Sequence, residues 1–148
     1  MLKMGLLLCG LLALAAPAQA QMNWADLNWG PAPPVFPAGA EMAVLSGDPS
    51  KSGTFVIRVK MPAGYKIPAH HHPTDEYVTV ISGDFSLGIG DKLDETKSAY
   101  LTVGGFAKAP AQMNHFAWTK SGAVVQISAD GPFAMTYVNP ADEPTHHR

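Results

Sequence analysis

Cysteine is all but missing from this sequence: its single example, Cys9, falls within the first ten residues. Past that point the chain has no disulfide to form. It also has no thiolate for a soft-metal site or for nucleophilic catalysis. At 148 residues it does not need a disulfide, because a chain of about 150 residues buries roughly two-thirds of its unfolded surface on folding. Charge is sparse as well. Charged residues make up 15% of the chain, the net charge is −2, and no basic run or stripe occurs, so a nucleic-acid partner is not expected. Beyond residue 20 no apolar stretch reaches the ~20 residues that a membrane-spanning helix requires. Helical periodicity between strands is absent too, which argues against α/β folds.

The first twenty residues have their own logic. Lys3 supplies a positive start, "GLLLCGLLALAA" (5–16) an apolar run, and "AQA" (18–20) a small-x-small site. That order is expected of a signal peptide, with cleavage near Ala20 and export to the periplasm or the medium. A lipoprotein would need a small residue before Cys9, where Leu8 stands. The remaining 128 residues would carry a net charge of −3 once Lys3 is removed. That length is expected to form one domain.

Residues 21–40 include "NWADLNWGPAPPVFPAGA", whose four prolines oppose helix and central strand alike. An extended N-terminal arm is expected there, docked through Trp24, Trp29 and Phe36. From Glu41 the pattern is β. "EMAVLSG", "GTFVIRVKM", "EYVTVIS", "DFSLGIG", "AYLTV", "HFAWT", "AVVQISA" and "FAMTYV" are short, rich in β-branched and aromatic residues, and divided by turn sequences such as Gly83-Asp84 and Gly104-Gly105. Such spacing predicts an all-β sandwich or barrel over 41–139, followed by a polar tail, 140–148.

Three of the six histidines stand together in "YKIPAHHHPTDEYVTVISG" (65–83). Residues two apart on extended backbone share a face, so His70 and His72 point one way and His71 the other. Pro73 excludes the helical kind of zinc site. Glu76 then opens the next strand. A His-x-His at one strand end and a carboxylate at the start of another can surround a cation from three sides. His115, also opening a strand, is the fourth candidate, leaving His146 and His147 to a solvated tail. Three imidazoles and a carboxylate suit a divalent transition metal such as Fe, Mn, Co, Ni, Cu or Zn and leave coordination positions open. The alternative is a surface histidine cluster with a separate core histidine.

The spacing Gly64, five residues, His70-x-His72, three residues, Glu76, six residues, Gly83 resembles the first cupin motif at every defined position. Gly104, five residues, Pro110 and then His115 resembles the second. The resemblance spans 64–119. It implies a cupin-like jelly-roll β-barrel, with His70, His72, Glu76 and His115 as ligands of one metal. Two positions depart from it: Gln112 stands where the second motif usually has glycine, which puts its tight turn in doubt, and Thr119 replaces a terminal asparagine. Gln112 is expected to be an exposed loop glutamine; the alternative is that it brings an amide to the mouth of the site.

Strand parity sends Val78, Val80, Ala117 and Thr119 inward, which predicts a dry pocket. Arg58 is expected outward. Gln126 and Tyr137 are further pocket candidates. Together these readings predict an exported metal-binding protein, an enzyme of the dioxygenase or isomerase kind acting on a small molecule. A non-catalytic metal or small-molecule binder is the alternative. Open sheet edges and the arm predict a homodimer, a state the cupin resemblance also implies.

Overall fold

The structure, a computed structural model, describes residues 21–147. The expected signal peptide, 1–20, lies outside the described residues, as do the side chains of His146 and His147. Eleven strands form: β1 (Gly30–Pro31), β2 (Glu41–Ser46), β3 (Gly53–Met61), β4 (Lys66–His71), β5 (Glu76–Gly83), β6 (Phe85–Ile89), β7 (Ser98–Leu101), β8 (Phe106–Ala109), β9 (His115–Trp118), β10 (Ala123–Gly131) and β11 (Thr136–Tyr137). They make two antiparallel sheets, ordered β1-β2-β3-β10-β5-β8 and β11-β4-β9-β6-β7. The architecture is all-β and of jelly-roll type. Among the described residues no ladder joins the sheets into a closed barrel.

Alternation places the core. On β3, Phe55, Ile57, Val59 and Met61 are buried while the residues between them are not. Val78 and Val80 of β5 and Val125 and Ile127 of β10 continue that wall, and Ile67, Leu87 and Ala117 of the second sheet close over it. Tight turns hold the strands in register. Gly83, at φ 76°, lies so close to Gly122 that an added Cβ would sit 1.9 Å from its carbonyl oxygen. Beside it, buried Asp84 accepts hydrogen bonds from the Lys120 and Ser121 amides at 2.9 and 2.8 Å and from the Ser121 hydroxyl.

The arm is docked, as its aromatics suggested. It begins with a single 3-10 turn at Trp24–Asp26, ahead of the first proline, and then adds β1 to the edge of β2. The Arg58 guanidinium lies 5.4 Å from the Trp24 ring centre and the Lys60 ammonium 5.0 Å from that of Trp29. Phe36 is buried and stacks on Phe133 at 5.8 Å. Tyr65 donates to the Pro37 carbonyl and Tyr137 to that of Val35, the latter at 2.7 Å, so two hydroxyls strap the arm to its own chain.

Some strand readings need correction. "FAMTYV" gives a strand only at Thr136–Tyr137, and "AYLTV" is shifted to Ser98–Leu101. β8, "FAKA", escaped notice because alanine and lysine carry little β preference. The tail contains two 3-10 turns, Pro140–Asp142 and Pro144–His147.

Candidate metal centre

The sequence puts His70 and His72 on one strand, and the structure adds a device that aims them. Along the β4–β9 ladder Ile67 faces Ala117 and His70 faces His115. Three steps on β4 therefore match two on β9, which is a β-bulge at Pro68 and Ala69. Without it, alternation from buried Ile67 would turn His71 inward. With it, His70 and His72 are buried and His71 is half-buried on the far side, its Nδ1 3.1 Å from Asn114 Oδ1. Proline at the bulge costs the ladder no donor.

β9 contributes His115 and β5 contributes Glu76, each the first residue of its strand and each buried. The ring centres of His70 and His115 are 4.4 Å apart, those of His70 and His72 4.9 Å, and those of His72 and His115 5.1 Å. One ligand-capable atom from each imidazole falls within 4.8 Å of the others. These three histidines could hold a metal ion.

Hydrogen bonding fixes how they would do so. Each Nδ1 meets a backbone carbonyl oxygen: His70 that of Pro68 at 2.7 Å, His72 that of Ala134 at 2.7 Å, His115 that of Met113 at 2.9 Å. A carbonyl only accepts, so each Nδ1 carries the proton and each Nε2 presents a lone pair. Nε2 of His72 and of His115 is buried without a hydrogen-bond partner. The Glu76 carboxylate oxygens lie 3.6 and 3.8 Å from these atoms, beyond hydrogen-bond reach. Buried acceptors converging with no donor between them are costly, and a shared cation removes that cost.

Titration points the same way. Burial lowers all three histidines below the ordinary imidazole value, His70 furthest, with His115 and His72 beside it adding to the effect. Hydrogen bonds to the Ala134 and Met113 carbonyls partly offset this for His72 and His115. Burial raises Glu76 to about 7, against a smaller opposing pull from His115. At neutral pH the imidazoles are therefore uncharged, as metal binding requires, and the contacts with Glu76 are not ion pairs.

The other sequence candidates fall elsewhere. Gln126 is corrected: Val125 and Ile127 point inward, so Gln126 points outward and accepts a hydrogen bond from Arg58 Nε at 3.2 Å. Tyr137 is buried with its ring 5.9 Å from His70, but its hydroxyl is committed to the arm. Gln112 has an exposed side chain. It makes the tight turn after all, at φ 61°, with its amide donating to the His72 carbonyl at 2.9 Å. Arg58 faces outward as expected, and Val78 and Ala117 line the cavity beside the histidines. Sequence reasoning missed Phe36 and Phe133, which complete that cavity. Phe36 was read only as an anchor of the arm, and Phe133 was passed over although it shares the parity of Tyr137 in "FAMTYV".

The family model described as "Domain of unknown function (DUF4437)" matches residues 18–136. No curated protein matches the chain. Among solved structures, an RmlC-like cupin from Shewanella frigidimarina is similar at 14% identity over 76% of this chain and 91% of its own, with a TM-score of 0.57. The polyketide cyclase RemF from Streptomyces resistomycificus is similar at 13% identity over 87% and 92%, with a TM-score of 0.67. An oxalate oxidase shares 22% identity over 72% of this chain and 59% of its own, with a TM-score of 0.53. Likeness at these identities establishes a cupin fold and leaves the substrate open.

Proposed function

The chain belongs to the DUF4437 family, and from its buried histidine cluster we propose that it is a metal-dependent enzyme acting on a small molecule, of the dioxygenase or isomerase kind. In this reading His70, His72, Glu76 and His115 hold one divalent transition metal. The observation that carries it is the pair of buried, unpartnered Nε2 atoms on His72 and His115, turned toward one carboxylate. A bound metal would supply Lewis acidity and open coordination positions. The chain's own part is to keep the imidazoles neutral, fix their tautomers through three backbone carbonyls, and surround the site with hydrocarbon that excludes water. The fold supports the reading, because cupin-fold neighbours include an oxalate oxidase and a polyketide cyclase.

Further proposals go with this one. The order of Lys3, the apolar run and the small residues before Gln21 supports export. Its partners would be a small molecule and a second copy of the chain, with neither nucleic acid nor membrane involved.

A non-catalytic binder is the second reading. It is favoured by the cavity wall, where the proposed ligands are the only ionisable side chains among the described residues. The experiment is metal analysis of the purified protein after loading with Fe, Mn, Co, Ni, Cu or Zn, followed by oxygen uptake and product analysis on a substrate panel. Stoichiometric metal with turnover supports the enzyme. Tight zinc without turnover supports the binder. Failure to retain any of these metals overturns the enzyme and the metal binder and leaves a binder of small molecules.

A further inference from the structure

The histidine centre is closed to anything larger than a few atoms. His70, His72, Glu76 and His115 are all buried, and the cavity beside them is about 30 Å³. A water needs about 10–15 Å³ of such volume, so the space has room for about two water-sized groups. A substrate, or a hydrated metal ion on its way in, therefore needs a wall that moves.

Two segments meet over this wall. Phe36 comes from the arm and Phe133 from the loop between β10 and β11, and their rings stack at 5.8 Å with the planes 4° apart. Phe133 lies 5.1 Å from the His72 ring, and its loop is tied to the centre. Its amide donates to the Pro49 carbonyl at 2.7 Å, and the next carbonyl, that of Ala134, accepts from His72 Nδ1 at 2.7 Å. Moving that loop would turn a ligand. The arm is tied differently. Residues 32–40 form a loop between β1 and β2, closed at its base by the Ala32 amide donating to the Ala40 carbonyl at 2.9 Å. Its tip is held by two hydroxyls, those of Tyr137 on the Val35 carbonyl and Tyr65 on the Pro37 carbonyl. Neither tyrosine is a proposed ligand. Pro33, Pro34 and Pro37 stiffen the loop, and Gly39, at φ 103°, gives it a pivot. It can swing as a unit without turning an imidazole.

We propose that the arm loop 32–40 is the gate of the histidine centre. It swings on its base, draws Phe36 off Phe133 and opens the cavity to metal and substrate, while Tyr65 and Tyr137 hold it shut. This rests on the metal reading above, whose centre the gate serves. Opening breaks two neutral hydrogen bonds and exposes one phenyl ring, a local event far short of global unfolding.

A gate changes how fast an equilibrium is reached and not where it lies. The test is stopped-flow uptake of Co(II), its release into excess chelator, and its affinity at equilibrium. Tyr65→Phe and Tyr137→Phe should each raise uptake and release together by about fivefold, the weight of one net hydrogen bond, with affinity unchanged within about twofold. Phe36→Ala should raise both rates at least about tenfold, and Phe36→Leu, with a smaller rise, serves if the alanine variant does not fold. In the metal-free protein, the Ala32 and Phe36 amides should exchange hydrogen ahead of those of β3 and β10, and faster still in both tyrosine variants. Rates that move in no variant, rates that move only as affinity falls, or arm amides that exchange only with the core overturn the gate while leaving the metal reading intact. Failure to take up Co(II) at equilibrium, seen before any rate is measured, overturns both.

Discussion

Ile67 and His70 lie three residues apart on β4, yet both face the cavity, because a bulge lets Ile67 pair with Ala117 and His70 with His115. The alternation that a regular strand would carry through this segment is reset there. His70 and His72 fall on the inside and His71 on the outside.

His70→Ala and His72→Ala should therefore each weaken metal binding by more than about 100-fold, since even outer partners of ligands are worth about 10–100-fold. His71→Ala should keep full stoichiometry. Metal analysis of the three variants after identical purification checks this. Loss of metal from His71→Ala with retention in His72→Ala would mean that the bulge is misplaced.

Glu76→Gln should separate two roles. Burial raises the folded-state Glu76 value to about 7 from an ordinary 4.5. The group therefore stabilises the metal-free fold fully below pH ~4.5, and this contribution is lost as pH rises through about 7. Above that, the metal-free protein buries a carboxylate at a cost on the order of 3 kcal/mol. With chelator at pH 8, Glu76→Gln should melt several degrees higher than the parent protein. With metal present the order should reverse, because the parent gains more from binding. A glutamine variant less stable in both conditions would count against a ligand role.

Gln112 sits at φ 61°, where a side chain costs about 1–2 kcal/mol. Gln112→Gly should recover part of this, about 0.5–1 kcal/mol after glycine's extra unfolded-state entropy. Chemical denaturation should show a higher midpoint with an unchanged slope. An unchanged or lower midpoint would show that the exposed glutamine makes a compensating contact.

Asp84→Ala leaves two turn amides and a hydroxyl without their acceptor and should cost about 1–2 kcal/mol. Burial raises the Asp84 carboxyl, but the hydrogen bonds from Ser121 and Lys120 together outweigh it and hold the group below its usual 3.8. Its contribution is present above that value and lost as pH falls through the folded one. The gap in melting temperature between parent and variant should be wide at pH 7 and narrow in strong acid. A gap that does not change with pH would assign the effect to packing.

Light scattering should return the mass of two copies at micromolar concentration if the edges β7 and β8 pair between chains. A monomer mass would remove self-association. The arm gives it no support, since its aromatics and both strapping hydroxyls are engaged within one chain.

Much of this was legible because two patterns were regular. Alternation in "GTFVIRVKM" and "EYVTVIS" gave strands and their inner faces, and the histidine and glutamate spacing gave the cluster. Gln126 was misplaced although its strand was right, because polarity among apolar neighbours drew attention before parity did. β8 was invisible because its pairing with β5, not its own residues, makes it a strand. The carbonyls of Pro68, Met113 and Ala134 could not be read at all, since every residue has one. Which carbonyls meet an imidazole is decided by the folded path of loops far apart in sequence.

Those three carbonyls have a consequence for how this protein can change. The imidazoles are oriented by main-chain atoms and not by a partner carboxylate or amide, so the support for the ligands does not depend on which side chains stand at 68, 113 and 134. Descendants can exchange those side chains, and the cavity wall beside them, without tilting an imidazole. The fold thereby separates inheritance of the centre from drift in what surrounds it, which leaves specificity free to diverge while the chemistry stays in place.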